Sequence, residues 1–262
     1  MKMILKCLSN PYLRVFKIFF HLLCVSFFKN IFIKKKLGPY GEFYFNIQYF
    51  LSDFNKWALS EKNNGMSLLY KLSKQNKCIF DIGSHIGLTT LPMSNQNNFI
   101  HSFDISQTNC NILKKNLKKN GIFNVIVNNI CMSNNFKTVS IFDSFFSNPN
   151  NQVYFNKKKK FTRKINIKST TVDQYVRDFN LKPDLIKIDV EGFEYFVLEG
   201  AKTTIRENNP IIILSYHPNL LLKNGITEKE FFNLTDSLKL KIKSINGEIP
   251  KKMLHNDYIL QK

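Results

Sequence analysis

The chain has 262 residues, 44% of them hydrophobic, enough to bury one large core without disulfide or metal staples. Its five cysteines are scattered, odd in number and free of any C-x-x-C pair, which argues against a secreted disulfide scaffold or a zinc ribbon and for free thiols in the cytoplasm. The formal charge is +19, yet only four of the 38 basic residues are Arg and no recognition motif accompanies them, so a nucleic-acid partner is not expected.

Eight Lys or Arg and no acidic residue precede Glu42. Among them runs YLRVFKIFFHLLCVSFFKNIFI, residues 12–33, whose longest charge-free stretch, Ile18–Phe28, has 11 residues, too few to span a bilayer. It carries no small-residue cleavage site. Residues 1–65 are read as a basic, apolar N-terminal helical extension. Apolar positions nearly all round favour packing on the main domain; the alternative is peripheral contact with a membrane surface through residues 12–33.

A regular pattern begins near residue 77 and defines a domain over residues 66–262. KCIFDIG reads as a buried strand and SHIGLTTLPMS as a turn into a short helix that Pro92 bends or ends. NFIHSFDIS is a second strand. SQTNCNILKKNLKKNG is a helix with Cys110, Leu113 and Leu117 on one face and Gly121 at its end. FNVIVNN is a third strand. The stretch 136–169 breaks the rhythm and reads as an insertion with hairpin character and a basic run, Lys157–Lys160 with Arg163 and Lys164, taken as a solvated face. TTVDQYVRDFN is a helix that Thr170, Thr171 and Asp173 cap, DLIKID a fourth strand, and the residues from Phe193 to Thr204 one helix packed on a sheet. NPIIILSYH is a fifth strand. A helix at 228–238 and strands near 239–245 and 257–260 finish the chain. This alternation predicts an α/β fold: a mostly parallel, twisted sheet with helices on both faces.

Three features follow strand ends in order. FDIGSHIG places Asp81, Gly83, Ser84, His85 and Gly87 at the first strand-to-helix turn. The spacing D-x-G-x-x-x-G is not the dinucleotide fingerprint, because His85 stands where a second Gly would be needed. Asp81 would repel a pyrophosphate and welcome the ammonium of an amino-acid ligand. Asp104, 23 residues on and followed by Ile105, ends the second strand, where a carboxylate accepts ribose hydroxyls. Asn129 ends the third, within NNICMSN, where it or its neighbours can meet an adenine edge. Ammonium site, ribose acid and adenine site point to S-adenosylmethionine.

CIFDIGSHIGLTT, STTVDQYV, DLIKIDVEGFEYFVLEGA and PIIILSYHP together resemble the FkbM-like family of methyltransferases, over roughly residues 77–218 with NDYIL near the end. The resemblance implies a Rossmann-like methyltransferase fold, S-adenosylmethionine as cofactor, and methyl transfer to a hydroxyl of a sugar, glycan or related metabolite. Asp81, Gly83 and Gly87 match the family's cofactor loop. Asp104 stands where the family usually has Glu within F-E-P, and Ser215 where strand five often ends on Glu, which draws attention to His217.

A neutral hydroxyl is a poor nucleophile, so a base or metal must help remove its proton. Asp189 ends the fourth strand and Glu191 follows in the turn that Gly192 allows. Either accepts the proton, or holds a divalent cation through oxygen, or caps the next helix. His217 is a base near neutral pH or a structural histidine beside Pro218. Two rival readings remain: a nucleic-acid methyltransferase, motivated by charge but lacking D/N-P-P-Y/F after strand four, and a non-catalytic nucleoside- or membrane-binding relative.

Overall fold

The structure, a computed structural model, describes residues 30–46, 64–94, 97–144 and 162–262. A hairpin, β1 (Phe32–Lys36) and β2 (Glu42–Asn46), comes first, followed by α1 (Asn64–Ser73). Strands and helices then alternate as β3 (Cys78–Ile82), α2 (Thr90–Ser94), β4 (Phe99–Asp104), α3 (Gln107–Lys119) and β5 (Val125–Asn129). A three-stranded unit follows, β6 (Cys131–Met132), β7 (Thr138–Ser144) and β8 (Thr162–Thr170). The remainder is α4 (Val172–Phe179), β9 (Leu185–Ile188), α5 (Glu194–Glu199), α6 (Lys202–Asn208), β10 (Ile211–Tyr216), α7 (Pro218–Lys223), α8 (Glu228–Ser237), β11 (Lys241–Ser244) and β12 (Asn256–Gln261).

The apolar strands cannot leave either face in water, so they pair centrally and helices cover both sides. The sheet order is β11-β12-β10-β9-β3-β4-β5, parallel from β10 to β5, with β12 antiparallel to both its neighbours. This is the expected Rossmann-like architecture. Phe80, Ile82, Ile186, Ile188, Ile212 and Leu214 face a core shared with α4, α5, α6 and α8. Ile79, Ile100, Leu185 and Ile213 face the other side, against Leu69 of α1 and Met93 of α2. Strand order reverses between β3 and β9, and it is outside the carboxyl ends of strands at such a switch point that open α/β sheets bind their ligands. A cavity of about 640 Å³ lined by Lys77, Ser94, Phe99 and Ile122 lies at the opposite, amino ends of β3 and β4.

Local signals explain most boundaries. Ser106 caps α3 by accepting from Asn109 N. At the other end Gly121 N and Ile122 N bond back to Lys118 O and Leu117 O, the Schellman pattern. Cys110, Leu113 and Leu117 are buried as expected. Pro92 interrupts the series of i→i−4 bonds between Leu91 N to Gly87 O and Met93 N to Thr89 O without ending α2, which runs on to Ser94. β7 and β8 pair as the expected hairpin within 136–169.

Two expectations are corrected. The stretch from Phe193 to Thr204 is two helices, because Asp173 N takes the carbonyl of Gly200 at 3.0 Å. The Asp173 carboxylate then accepts from Thr203 N and Thr204 N and caps α6, while Thr171 alone caps its own helix by accepting from Gln174 N. Gly200 lets this corner approach β6 closely, since a Cβ there would stand 2.0 Å from Ser133 O.

Residues 32–46, expected within a helical extension, are the β1–β2 hairpin. Alternation in β2 buries Phe43 and Phe45, and the turn closes through Leu37 N to Gly41 O. The outer edge of β2 is satisfied by amide side chains: Asn46 N donates to Asn116 Oδ1 and Tyr44 N to Asn120 Oδ1, both at 2.8 Å. Asn116 also donates to Ile86 O at 3.0 Å, so the hairpin braces the back of the turn after β3. Most of the proposed membrane segment (12–29), and the run Lys157–Lys160 with the Arg163 side chain, lie outside the described residues. Among the described residues no helix is long and apolar enough to cross a membrane.

Candidate active site

The turn after β3 and the turn after β9 touch through their backbones. Gly83 has φ +85, and a Cβ on it would stand 1.8 Å from Asp189 O. Any side chain at 83 would therefore separate the two turns. Gly83 N and Ser84 N both donate to Phe103 O, tying the same turn to the end of β4. Gly87 N donates to Ser84 O, and its open face is filled by Leu91 and Leu113.

Asp81 and Lys187 are register partners on adjacent parallel strands, so their side chains leave the same face. Asp81 Oδ2 accepts from Thr89 and Thr90 Oγ1 at 2.9 and 2.6 Å, and Oδ1 lies 3.1 Å from Lys187 Nζ. Asp81 is wholly buried, so the ammonium it meets is that of Lys187 rather than a ligand's, which corrects its expected role. Lys187 Nζ also donates to Gly83 O at 2.8 Å and lies 3.7 Å from Asp189 Oδ2. Burial alone would lower its pKa, but Asp81 and Asp189 outweigh burial and hold it above the ordinary value.

At the end of β4, Asp104 Oδ2 accepts from His85 N, and Oδ1 from Ser106 N and Asn109 Nδ2. Three in-chain donors leave one of about four acceptor sites. Burial pushes the Asp104 carboxyl up to about 6. Asn129 reaches this group too, but its amide donates to Asp104 O at 2.9 Å and so braces the acid rather than standing open. Ile105 packs against the buried cluster of Cys131, Val139, Ile167 and Phe193. Burial, reinforced by Lys187, lowers the His85 ring to about 4, so it is neutral at physiological pH.

The third group forms where β9 and β10 end. Glu191 and Gly192 have φ +52 and +99, and a Cβ on Gly192 would stand 2.5 Å from Leu220 Cβ. This turn brings Glu191 Oε2 to 3.8 Å and Asp189 Oδ1 to 3.9 Å from His217 Nε2. His217 is 7% exposed, and its Nδ1 donates to the fully buried Glu194 Oε1 at 2.8 Å. Gly192 N donates to the same oxygen. Burial would lower the His217 pKa, but Glu194, Asp189 and Glu191 overcome this and raise it to about 9. The ring is thus an imidazolium near neutral pH, which corrects the first of its two readings, a base there, and leaves the second, a structural histidine.

The structure gathers the expected residues into two adjoining clusters, His85–Asp104–Ile105–Asn129 and Asp189–Glu191–His217, joined by Gly83 and Lys187. Three members went unread in the sequence. Lys187 had a signal, a lysine in the middle of an apolar strand, which must find a buried partner. Glu194 stands in the first turn of α5, a common place for an acid, and carries no local mark of its buried partner. Asp257 pairs with Ser215 across β10 and β12, with Ser215 Oγ donating to its Oδ1 at 2.5 Å. A carboxylate absent from the end of β10 is thereby supplied by the neighbouring strand.

Solved structures similar to the chain are distant. They include an FkbM methyltransferase from Methylobacillus flagellatus KT (16% identity, TM-score 0.47), matched over 71% of this chain and 43% of that one. The chain thus spans less than half the length of that relative. A precorrin-6y C5,15-methyltransferase from Geobacter metallireducens GS-15 has 13% identity and TM-score 0.42, with 78% and 89% of the two chains covered. An O-methyltransferase from Bacillus cereus, solved with S-adenosylhomocysteine, has 12% identity and TM-score 0.42, with 78% and 81% covered. No curated protein matches the chain. The family description "Methyltransferase FkbM domain" matches residues 81–260, from Asp81 of β3 to Leu260 of β12 and more than half of the sequence. On that match, which takes in every candidate residue described above, the chain belongs to the FkbM family of methyltransferases.

Proposed function

We propose that this protein transfers a methyl group from S-adenosylmethionine to a hydroxyl of a sugar, glycan or related metabolite. The observation that carries this reading is the Asp189 carboxylate, partly exposed at the end of β9 and in backbone contact with the glycine turn of β3. Proton acceptor and cofactor turn are thereby held side by side.

The residues present suit that cofactor. Asp104 keeps one acceptor site for a ribose hydroxyl, and the neutral His85 ring sets no charge against a sulfonium. When bound, S-adenosylmethionine supplies an electrophilic methyl and leaves as the neutral thioether. The chain's task is to position the acceptor hydroxyl and take its proton as the oxygen–carbon bond forms. Asp189 accepts that proton. Lys187, held by Asp81, lies 3.7 Å from Asp189 Oδ2 and stabilises its charge from behind. His217 offsets the charge of Asp189 and Glu191.

The mouth also bears on the acceptor. Asp81, Asp189, Glu191, Glu194 and Asp257 surround one Lys and one His. This local excess of negative charge disfavours a polyphosphate backbone despite the basic chain. The test is transfer of labelled methyl to fractionated cell-surface glycans. Label in an alkali-stable ether is the expected result. Label confined to nucleic acid would replace the reading.

Asp104 gives a pH signature. Its carboxyl titrates near 6 in the folded chain against an ordinary 3.8. Proton uptake as pH falls through about 6 favours the folded state. The same proton removes the acceptor that the ribose hydroxyl needs. Calorimetry is expected to show S-adenosylhomocysteine affinity level above about pH 7 and falling below about 6. Asp104→Asn should bind more weakly with a flatter profile; an unchanged profile would detach Asp104 from the ribose.

A further inference from the structure

We propose that Asp189, Glu191 and His217 form a site for one divalent cation of the Mg²⁺ or Mn²⁺ kind, on the acceptor side of the mouth. The inference deepens the methyl-transfer reading and rests on it for what the cation does.

Each residue offers one ligand atom, and these atoms lie within 4.8 Å of one another. His217 Nε2 stands 3.9 Å from Asp189 Oδ1 and 3.8 Å from Glu191 Oε2, beyond hydrogen-bond reach of either. Around an octahedral cation with bonds of about 2.1 Å, adjacent ligand atoms are about 3 Å apart and opposite ones about 4.2 Å apart. Closing the three onto one ion therefore takes a movement of about 1 Å or less. The carboxylates can make it, since their side chains are 38% and 25% exposed.

The imidazole is the fixed element and lifts this cluster above a group of surface acids. It is 7% exposed and packed against the His255 ring, with centroids 4.7 Å apart and the planes tilted by 46°. Its Nδ1 is committed to Glu194, which is itself buried and held by Gly192 N. Only Nε2 is left to face the carboxylates, and a cation bound there would take the place of the proton that this nitrogen otherwise carries. A buried carboxylate that orients an imidazole so that its other nitrogen faces outward is the recurrent support of a metal-bound histidine. Two carboxylates with a single imidazole and no thiolate suit a hard cation with open positions.

An acceptor hydroxyl bound in one of those positions would have its pKa lowered by the ion. Its O–H bond then breaks, the proton passing to the Asp189 oxygen not used as a ligand. The oxygen's electron pair forms the new bond to the methyl carbon, and the sulfur–carbon pair stays on the departing thioether.

The test is titration of the full chain with Mn²⁺, followed by loss of the free-ion electron paramagnetic resonance signal. S-adenosylhomocysteine binding is measured by calorimetry on the same samples. About one Mn²⁺ per chain is expected, displaced by excess Mg²⁺. Glu191→Gln and His217→Ala should each weaken Mn²⁺ at least about tenfold, with S-adenosylhomocysteine affinity retained. His217→Ala strands Glu194 in the core and can unfold the chain, so the partly exposed Glu191→Gln is the decisive variant. Wild-type Mn²⁺ affinity in Glu191→Gln, or no stoichiometric binding by the wild type, overturns the site. S-adenosylhomocysteine binding without Mn²⁺ removes the cation alone. Mn²⁺ binding without S-adenosylhomocysteine removes the methyl-transfer reading and leaves the site standing.

Discussion

Asp189→Asn is expected to cut methyl transfer by about 100- to 10,000-fold, the range general-base catalysis supplies. S-adenosylhomocysteine affinity should stay within about threefold, or ~0.7 kcal/mol. The substitution keeps the side-chain shape and removes its charge and basicity. The backbone contacts that join the two turns, Asp189 N to Ile82 O and Asp189 O against Gly83, involve no side-chain atom and survive. Lys187 keeps its ion pair with Asp81 and its bond to Gly83 O. Initial rates at saturating cofactor, with calorimetry on the same preparation, separate the two effects. A cofactor affinity that falls more than about tenfold would move Asp189 to the cofactor's side of the mouth. Undiminished turnover would remove it from the proton's path.

Lys187→Met should lower unfolding free energy by about 3–5 kcal/mol, the cost of leaving one partner of a buried ion pair alone. Lys187 and Asp81 are 4% and 0% exposed, so water cannot take over for either. The Met side chain fills similar space, which isolates loss of charge from loss of volume. Asp81 would keep only the Thr89 and Thr90 hydroxyls, and Gly83 O would lose its donor. Adding Asp81→Asn should recover a large part of the loss, because the orphaned charge disappears while the amide oxygen still accepts from the threonines. Urea unfolding of the single and double variants measures both. A single variant within about 1 kcal/mol of wild type would mean that the pair is solvated and does not organise the mouth.

These two residues differ in how openly the sequence announces them. Asp189 ends an apolar strand and precedes a glycine, so its position at a sheet edge is a local matter. Gly83, Gly87 and Asp104 are legible for the same reason, as are the stop of α3 at Gly121 and the burial of Cys110, Leu113 and Leu117. Each depends on neighbours within a few residues: a strand running out, a turn needing a backbone without Cβ, an apolar face repeating at helical spacing. The family resemblance rests on four such local stretches together, of which Asp184 to Ala201 is one.

The hairpin of residues 32–46 was not legible, because half of what fixes it lies on α3, in the amides of Asn116 and Asn120. The single helix expected after Phe193 failed likewise: a backbone N–H from Asp173, in another helix, claims the carbonyl that would continue it.

By itself, then, the sequence determined the alternation of strands and helices, the two strand-end turns, the acids within them and the family. Only the tertiary structure decided which charge meets which. Asp81 looked open to a ligand's ammonium until the β3–β9 register set Lys187 beside it. Ser215 looked like a lost carboxylate until the β10–β12 register set Asp257 opposite. His217 could be read as a base or as a structural histidine until the fold set Glu194, 23 residues away, against Nδ1. The physical reason is common to all three. Periodicity records how a segment faces its own surroundings, whereas ion pairs and proton affinities depend on sheet order and register between segments far apart in the chain.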